Sequence, residues 1–340
     1  MNCTVAFKGF FAVILTKDLF MKTSKIRQTI CPILAALIWG TAFVAQSVGA
    51  DYVGAFTFTA IRSLIGSIAL SATLFVIKKF RKSDTVSSTN KKGYRKKLIV
   101  GGICCGVLLT VATNLQQFGI SETSAGKAGF ITALYIVLVP ILGVFLHKKA
   151  PFSVWIGVIA AVAGLYLLCI KENFYLSTGD FYLLMCALMF AAHILAIDYF
   201  TRFVDGIELS CAQFIVVTII SSICMFIFEK PEIAQISQCI GSLLYVGIFS
   251  SGVAYTLQII AQKDANPTVV SLLLSLESVF ATIAGAIILS DTMSLREYIG
   301  CTLMFSAVIL AQLPDNIFKR NKKTITPNQY LNNQHKNSTL

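Results

Sequence analysis

The chain has 340 residues, 56% of them apolar and only 13% charged, with a net charge of +12 and a mean hydropathy of +0.76. A soluble domain carries about 25% charged and about 45–50% apolar residues, so this composition excludes one, and it excludes disorder, which needs low hydrophobicity. The ten cysteines sit mostly within apolar runs, which excludes a secreted disulfide scaffold. What is left is an all-α polytopic membrane protein. At about 20 residues per spanning helix, ten spans would leave no room for a sizeable soluble domain.

The first twenty residues fit this picture poorly. The apolar stretch Gly9 to Leu15 is too short to span and no small-residue cleavage site follows it. Met21, followed by Lys22, Lys25 and Arg27, opens a more usual leader, which predicts that translation begins there and that residues 1–30 form a cytoplasmic segment. Apolar runs of about 18 residues or more then predict helices near residues 31–50, 53–77, 98–119, 124–146, 152–170, 180–200, 209–229, 240–262, 267–289 and 294–313. Short links carry the breakers and charges, among them Lys148 to Pro151, Ser177 to Asp180 and Lys263 to Pro267. Residues 314–340 form a polar tail.

Basic loops resist translocation and stay cytoplasmic. If the first helix starts inside, 23 of the 28 Lys and Arg residues fall on the cytoplasmic side, 9 of them between Lys78 and Lys97. Only Lys171, Lys230 and Arg296 fall outside, while Arg62 and Lys127 lie within spans. The bias predicts both termini in the cytoplasm and an inner (cell) membrane location. It also accounts for the basic balance without nucleic acid as a partner.

The chain repeats itself. Ala36 to Thr41 aligns with Ala187 to Ala192 at an offset of 151, which also places Arg62 on Gln213. Leu115-Gln116 matches Leu257-Gln258 at 142, and Trp155 to Gly157 matches Tyr298 to Gly300 at 143. The drop follows from the long 78–97 loop, which has only a short counterpart. Five spans per half is an odd number, so residues 31–170 and 180–313 would form two inverted five-helix repeats, as in secondary transporters.

Together, the run Ile38-Trp39-Gly40-Thr41-Ala42-Phe43, the triplets Ala60-Ile61-Arg62 and Thr123-Ser124-Ala125, the Val139-Pro140 pair, Gln213, and Leu276-Glu277-Ser278-Val279-Phe280-Ala281 resemble the two EamA domains of the drug/metabolite transporter superfamily. Two positions depart from that pattern. Ser278 stands where the family often has Pro, and Asp291 where it often has Glu. The resemblance implies a ten-helix exporter of small metabolites, such as amino acids, or of amphiphilic drugs, with a central cavity between the halves.

Ionisable groups inside spans are functional candidates by default, because hydrocarbon penalises them by about 2.5–3.5 kcal/mol or more. Arg62 and Glu277 each lie about 14–15 Å deep at ~1.5 Å per residue, so they can share one plane. Glu277 is the candidate for a substrate amine or a proton, and Arg62 for fixing a partner or a helix end. His193 is a second candidate proton carrier. Lys127 lies near the outer end of the fourth span and can reach water by snorkelling. Trp39, Gln46, Asn114, Gln116, Gln117, Tyr135, Gln213, Tyr255 and Gln258 outline a polar and aromatic path, although each alone also fits an interhelical hydrogen bond or packing contact. Pro140 is expected to kink the fourth span and is a gating candidate. Gly102 and Gly106, Gly157 and Ala161, Gly247 and Ser251, and Ala281 and Gly285 repeat at four residues, the spacing of close helix packing.

The segment Ser121 to Lys127 fails the phosphate-loop pattern, since position 121 is Ser and 128 is Ala. No Cys or His pair has metal-ligand spacing, so neither nucleotide hydrolysis, a metal nor another cofactor is expected. The expected partners are a small-molecule substrate, the lipid bilayer and protons as a candidate coupling ion, with the chain a monomer or homodimer. A membrane enzyme would need a nucleophile or acid pair at the surface, and a receptor a soluble module; the sequence offers neither.

Overall fold

The computed structural model describes residues 24–80, 91–123, 125–147, 152–169, 177–288 and 294–312. Expectations on Met21, the 81–90 stretch, Lys148, Lys149, Lys171, Asp291 and the tail lie outside these residues. Those described are helical, with no strand among them. In chain order the helices are α1 (Ser24–Ala50), α2 (Ala55–Phe80), α3 (Lys91–Glu122), α4 (Ala125–Ala133), α5 (Tyr135–Phe145), α6 (Phe152–Cys169), α7 (Thr178–Phe200), α8 (Gly206–Phe228), α9 (Ile233–Gln238) and α10 (Ile240–Tyr245). A π-helical stretch, Val246–Ala254, leads into α11 (Tyr255–Gln262), followed by α12 (Pro267–Leu274), α13 (Glu277–Ile288) and α14 (Leu295–Gln312).

Eight segments are long and apolar enough to cross a membrane. The ten predicted spans correspond to these eight and to α6 and α14, each 18 residues, or about 27 Å at ~1.5 Å per residue. Phe75, Phe145, Phe226 and Phe228 stand at least 70% exposed, the outward apolar surface of a chain whose solvent is lipid.

Two predicted spans are interrupted. The fourth breaks at Leu134, between α4 and α5, and the ninth at Ser275 and Leu276, between α12 and α13. At both places the backbone closes tighter turns: Leu134 N–H donates to Ile131 O, and Leu276 N–H to Leu273 O. Pro140 is buried in the middle of α5, past the break.

Local chemistry sets the helix starts. Ser177 and Asp180 form a reciprocal capping box on α7, Asp205 caps α8, and Asn266 caps α12 with Pro267 in its first turn. The start of α2 is capped from another helix: the Glu229 carboxylate at the end of α8 accepts from Phe56 N–H (2.9 Å), Thr57 N–H (2.8 Å) and the Thr57 hydroxyl (2.6 Å). At the other end of the α2–α8 pair, Lys78 bridges Glu208 at 2.8 Å, and the Tyr94 hydroxyl donates to Glu208 at 2.7 Å.

The main packing partners are α6 with α14, α3 with α7, α2 with α8, α3 with α8, and α1 with α13 and α11. Small residues let these backbones approach. A Cβ on Gly40 of α1 would lie 2.5 Å from Phe280 Cβ and 2.7 Å from both Ala281 N and Glu277 O. Because two of these atoms are backbone, Gly40→Ala is expected to push α1 off α13 and to cost about 1–3 kcal/mol, read as a lowered Tm in detergent. An unchanged Tm would contradict this contact.

Candidate functional site

Where the helices converge they enclose a cavity lined by Trp39, Phe43 and Gln46 of α1, Arg62 of α2, Gln116 of α3, Thr132 and Tyr135 at the α4/α5 break, and Phe190 and Ile194 of α7. The lining is completed by Ser250 in the π-helical stretch, Tyr255 and Gln258 of α11, and Leu274 and Glu277 at the α12/α13 break. The cavity holds about 30 Å³ of free space. At about 10–15 Å³ per water that is room for two or three waters, so a larger solute enters only if the walls move.

The charged groups are held firmly. Arg62 is 2% exposed; its Nη1 donates to Gln46 Oε1 at 2.9 Å, its guanidinium lies 5.9 Å from the Phe58 ring centre, and Nη2 has no partner. Glu277, 4% exposed, is the first residue of α13, where the helix dipole favours an anion. The Tyr135 hydroxyl faces the same cavity, and both it and Glu277 Oε1 are buried without a hydrogen-bond partner. Arg62 and Glu277 face one cavity without forming an ion pair with each other.

One wall is aromatic. The Trp39 and Tyr255 rings meet edge to face at 4.8 Å, Phe214 supports Tyr255 at 5.3 Å, and the His193 ring lies 6.3 Å from it. His193 stands behind this wall. Its Nε2 bonds Gln213 Oε1 at 3.0 Å, a link between α7 and α8.

Of the predicted residues, Trp39, Gln46, Arg62, Tyr135, Tyr255, Gln258 and Glu277 come together in the cavity, as does Gln116. Asn114, Gln117 and His193 are outside its lining. Asn114 Nδ2 donates to Ser221 Oγ at 3.0 Å and stitches α3 to α8. Gln117 Nε2 donates to the Gln46 backbone carbonyl at 3.1 Å. Lys127 does more than reach for water: its ammonium meets the fully buried Asp180 carboxylate at 2.6 Å. Phe43, Thr132, Phe190, Ile194, Ser250 and Leu274 were not singled out. Of these, the internal offsets point only to Phe190, 151 residues beyond Trp39; Gln116 and Gln258, and Tyr135 and Glu277, are spaced by 142 within the predicted set, while Phe43 and Ile194 (151) and Thr132 and Leu274 (142) relate two unpredicted residues to each other.

Comparison with known proteins decides the family. The EamA-like transporter family matches the chain twice, over residues 29–170 and 177–313. The chain belongs to that family. An "Uncharacterized transporter" of Archaeoglobus fulgidus is 30% identical over 285 residues, covering 82% of this chain and 84% of its own. The "Uncharacterized transporter YoaV" of Bacillus subtilis is 22% identical, covering 82% and 94%. A chloroplastic WAT1-related protein of Arabidopsis thaliana is 25% identical, covering 82% and 67%. A crystal structure at 18% identity superposes with a TM-score of 0.70 over 86% of this chain and 99% of the other, which shows a shared fold. This EamA protein is a membrane transporter of the drug/metabolite transporter superfamily, with the cavity at the heart of its helices.

Proposed function

We propose that this protein is a secondary transporter that exports small zwitterionic metabolites, amino acids among them, by alternating access to the cavity. The observation that carries the reading is a basic and an acidic side chain facing one small chamber: Arg62 Nη2 and Glu277 Oε1 are both buried and without a hydrogen-bond partner. A buried unsatisfied ion is costly, and a solute with a carboxylate for Arg62 and an amine for Glu277 relieves both. The aromatic wall of Trp39 and Tyr255 adds a surface for apolar or cationic side groups.

Ten spans in two inverted five-helix repeats provide the framework. Several observations support it. Exchanging the halves carries the α2–α8 and α6–α14 contacts onto themselves and the α3–α7 contact onto the packing of α1 with the π-helical stretch and α11. Ten of the fourteen lining residues fall into offset-related pairs. The interruptions at Leu134 and Leu276 are also 142 apart, and paired interruptions at a repeat interface are a hallmark of transporter binding sites. The charge bias of the loops supports cytoplasmic termini and a cell-membrane location. Glu277 is the candidate proton carrier, and a unit with its own cavity transports as a monomer or within a homodimer.

The test is counterflow in proteoliposomes with neutral amino acids, organic cations and simple carboxylates, with and without a proton gradient. Saturable exchange of the zwitterions above the other two classes is expected. Exchange confined to cations or to carboxylates would overturn the zwitterion assignment, and no exchange of any class would overturn the reading.

A further inference from the structure

Resting on that reading, we infer that two glutamines outside the cavity lining, Gln117 and Gln262, are the clasps that close its two routes to water, one toward each membrane face. They make the same contact in opposite halves. Gln117 of α3 donates from Nε2 to the backbone carbonyl of Gln46 on α1 at 3.1 Å, and Gln262 of α11 donates from Nε2 to the backbone carbonyl of Ile194 on α7 at 2.8 Å. The two acceptors, Gln46 and Ile194, belong to residues that line the cavity.

Both glutamines are 1% exposed, and both leave the amide oxygen without a partner. A buried amide that uses only its donor holds its seam by one neutral hydrogen bond and keeps an acceptor open for another partner. It suits a group that exchanges partners. The seams they cross are thin: α1 meets α3, and α7 meets α11, along much shorter contacts than those joining α3 to α7 or α1 to α13. Gln117 stands five residues before the end of α3. Gln262 is the last residue of α11, one turn beyond the cavity residue Gln258. In the ten-span arrangement these helix ends lie at opposite membrane faces, so each clasp sits between the chamber and one side.

A reporter in the cavity reads both clasps. Thr132→Cys places a thiol in the lining, and its reaction with a membrane-impermeant maleimide is measured from each face of oriented vesicles, above the background of the unchanged chain. Gln117→Met or Gln262→Met deletes the amide with little change of shape. Each is expected to speed labelling from one face only, the two from opposite faces, by roughly fivefold, the equilibrium shift of about one neutral hydrogen bond. Gln117→Leu and Gln262→Leu, which also remove the donor, give the same one-sided pattern if the Met variants fail to accumulate. Unchanged rates, acceleration from both faces alike, or acceleration by both variants from the same face would overturn the inference. Counterflow run in parallel separates the readings: one-sided labelling without solute exchange leaves the clasps in place and removes the transport assignment.

Discussion

Glu277→Gln is expected to fold and insert normally but to exchange substrate about 10- to 100-fold more slowly than the parent, the loss of a hydrogen bond to a charged group. The substitution keeps the side chain's shape, so packing of α13 against α1 and α4 is preserved. It removes the acidic group at the first turn of α13, the one proposed to meet a substrate amine or proton in the cavity it shares with Tyr135. Counterflow rates at matched protein content check the flux, and solubilised yield checks the fold. Flux equal to the parent's would show that the carboxylate is a packing group.

The second large effect falls on stability. Asp180 is fully buried, and Lys127, about a quarter exposed, supplies its ammonium at 2.6 Å. The same carboxylate accepts the Ser177 N–H at 2.8 Å, which starts α7. Lys127→Met leaves this buried anion without its counter-ion and is expected to lower stability by about 3 kcal/mol. Lys127→Met combined with Asp180→Asn should recover part of that loss, because the stranded charge is gone. Thermal unfolding in detergent measures both; a single variant as stable as the parent would show that the pair contributes nothing.

The sequence displays what hydropathy and spacing encode. Continuous apolar runs place the helices within a few residues, and mid-span Arg62 and Glu277 stand out because charge is rare in hydrocarbon. The breaks were hidden. Neither Leu134 nor Ser275-Leu276 is a proline or glycine, and the visible breaker, Pro140, sits further along in α5. Near them lies a contact that only the fold creates, the Ser278 hydroxyl donating to the Gly129 carbonyl at 3.0 Å across α13 and α4. The role of His193 was equally illegible, since only the fold puts Gln213 within 3.0 Å of it and Tyr255 between it and the chamber. Lys127 read as a surface lysine because its partner is 53 residues away.

The tying of α2 to α8 has a mechanical consequence. Glu229 grips the first turn of α2 at one end, and Lys78 grips Glu208 at the other, with these partners related by the same 151-residue spacing. A beam pinned at both ends resists tilting, so under the proposed alternating access this pair is expected to be the stationary frame, with displacement concentrated in the split helices α4/α5 and α12/α13, which break at Leu134 and Ser275-Leu276 beside Tyr135 and Glu277.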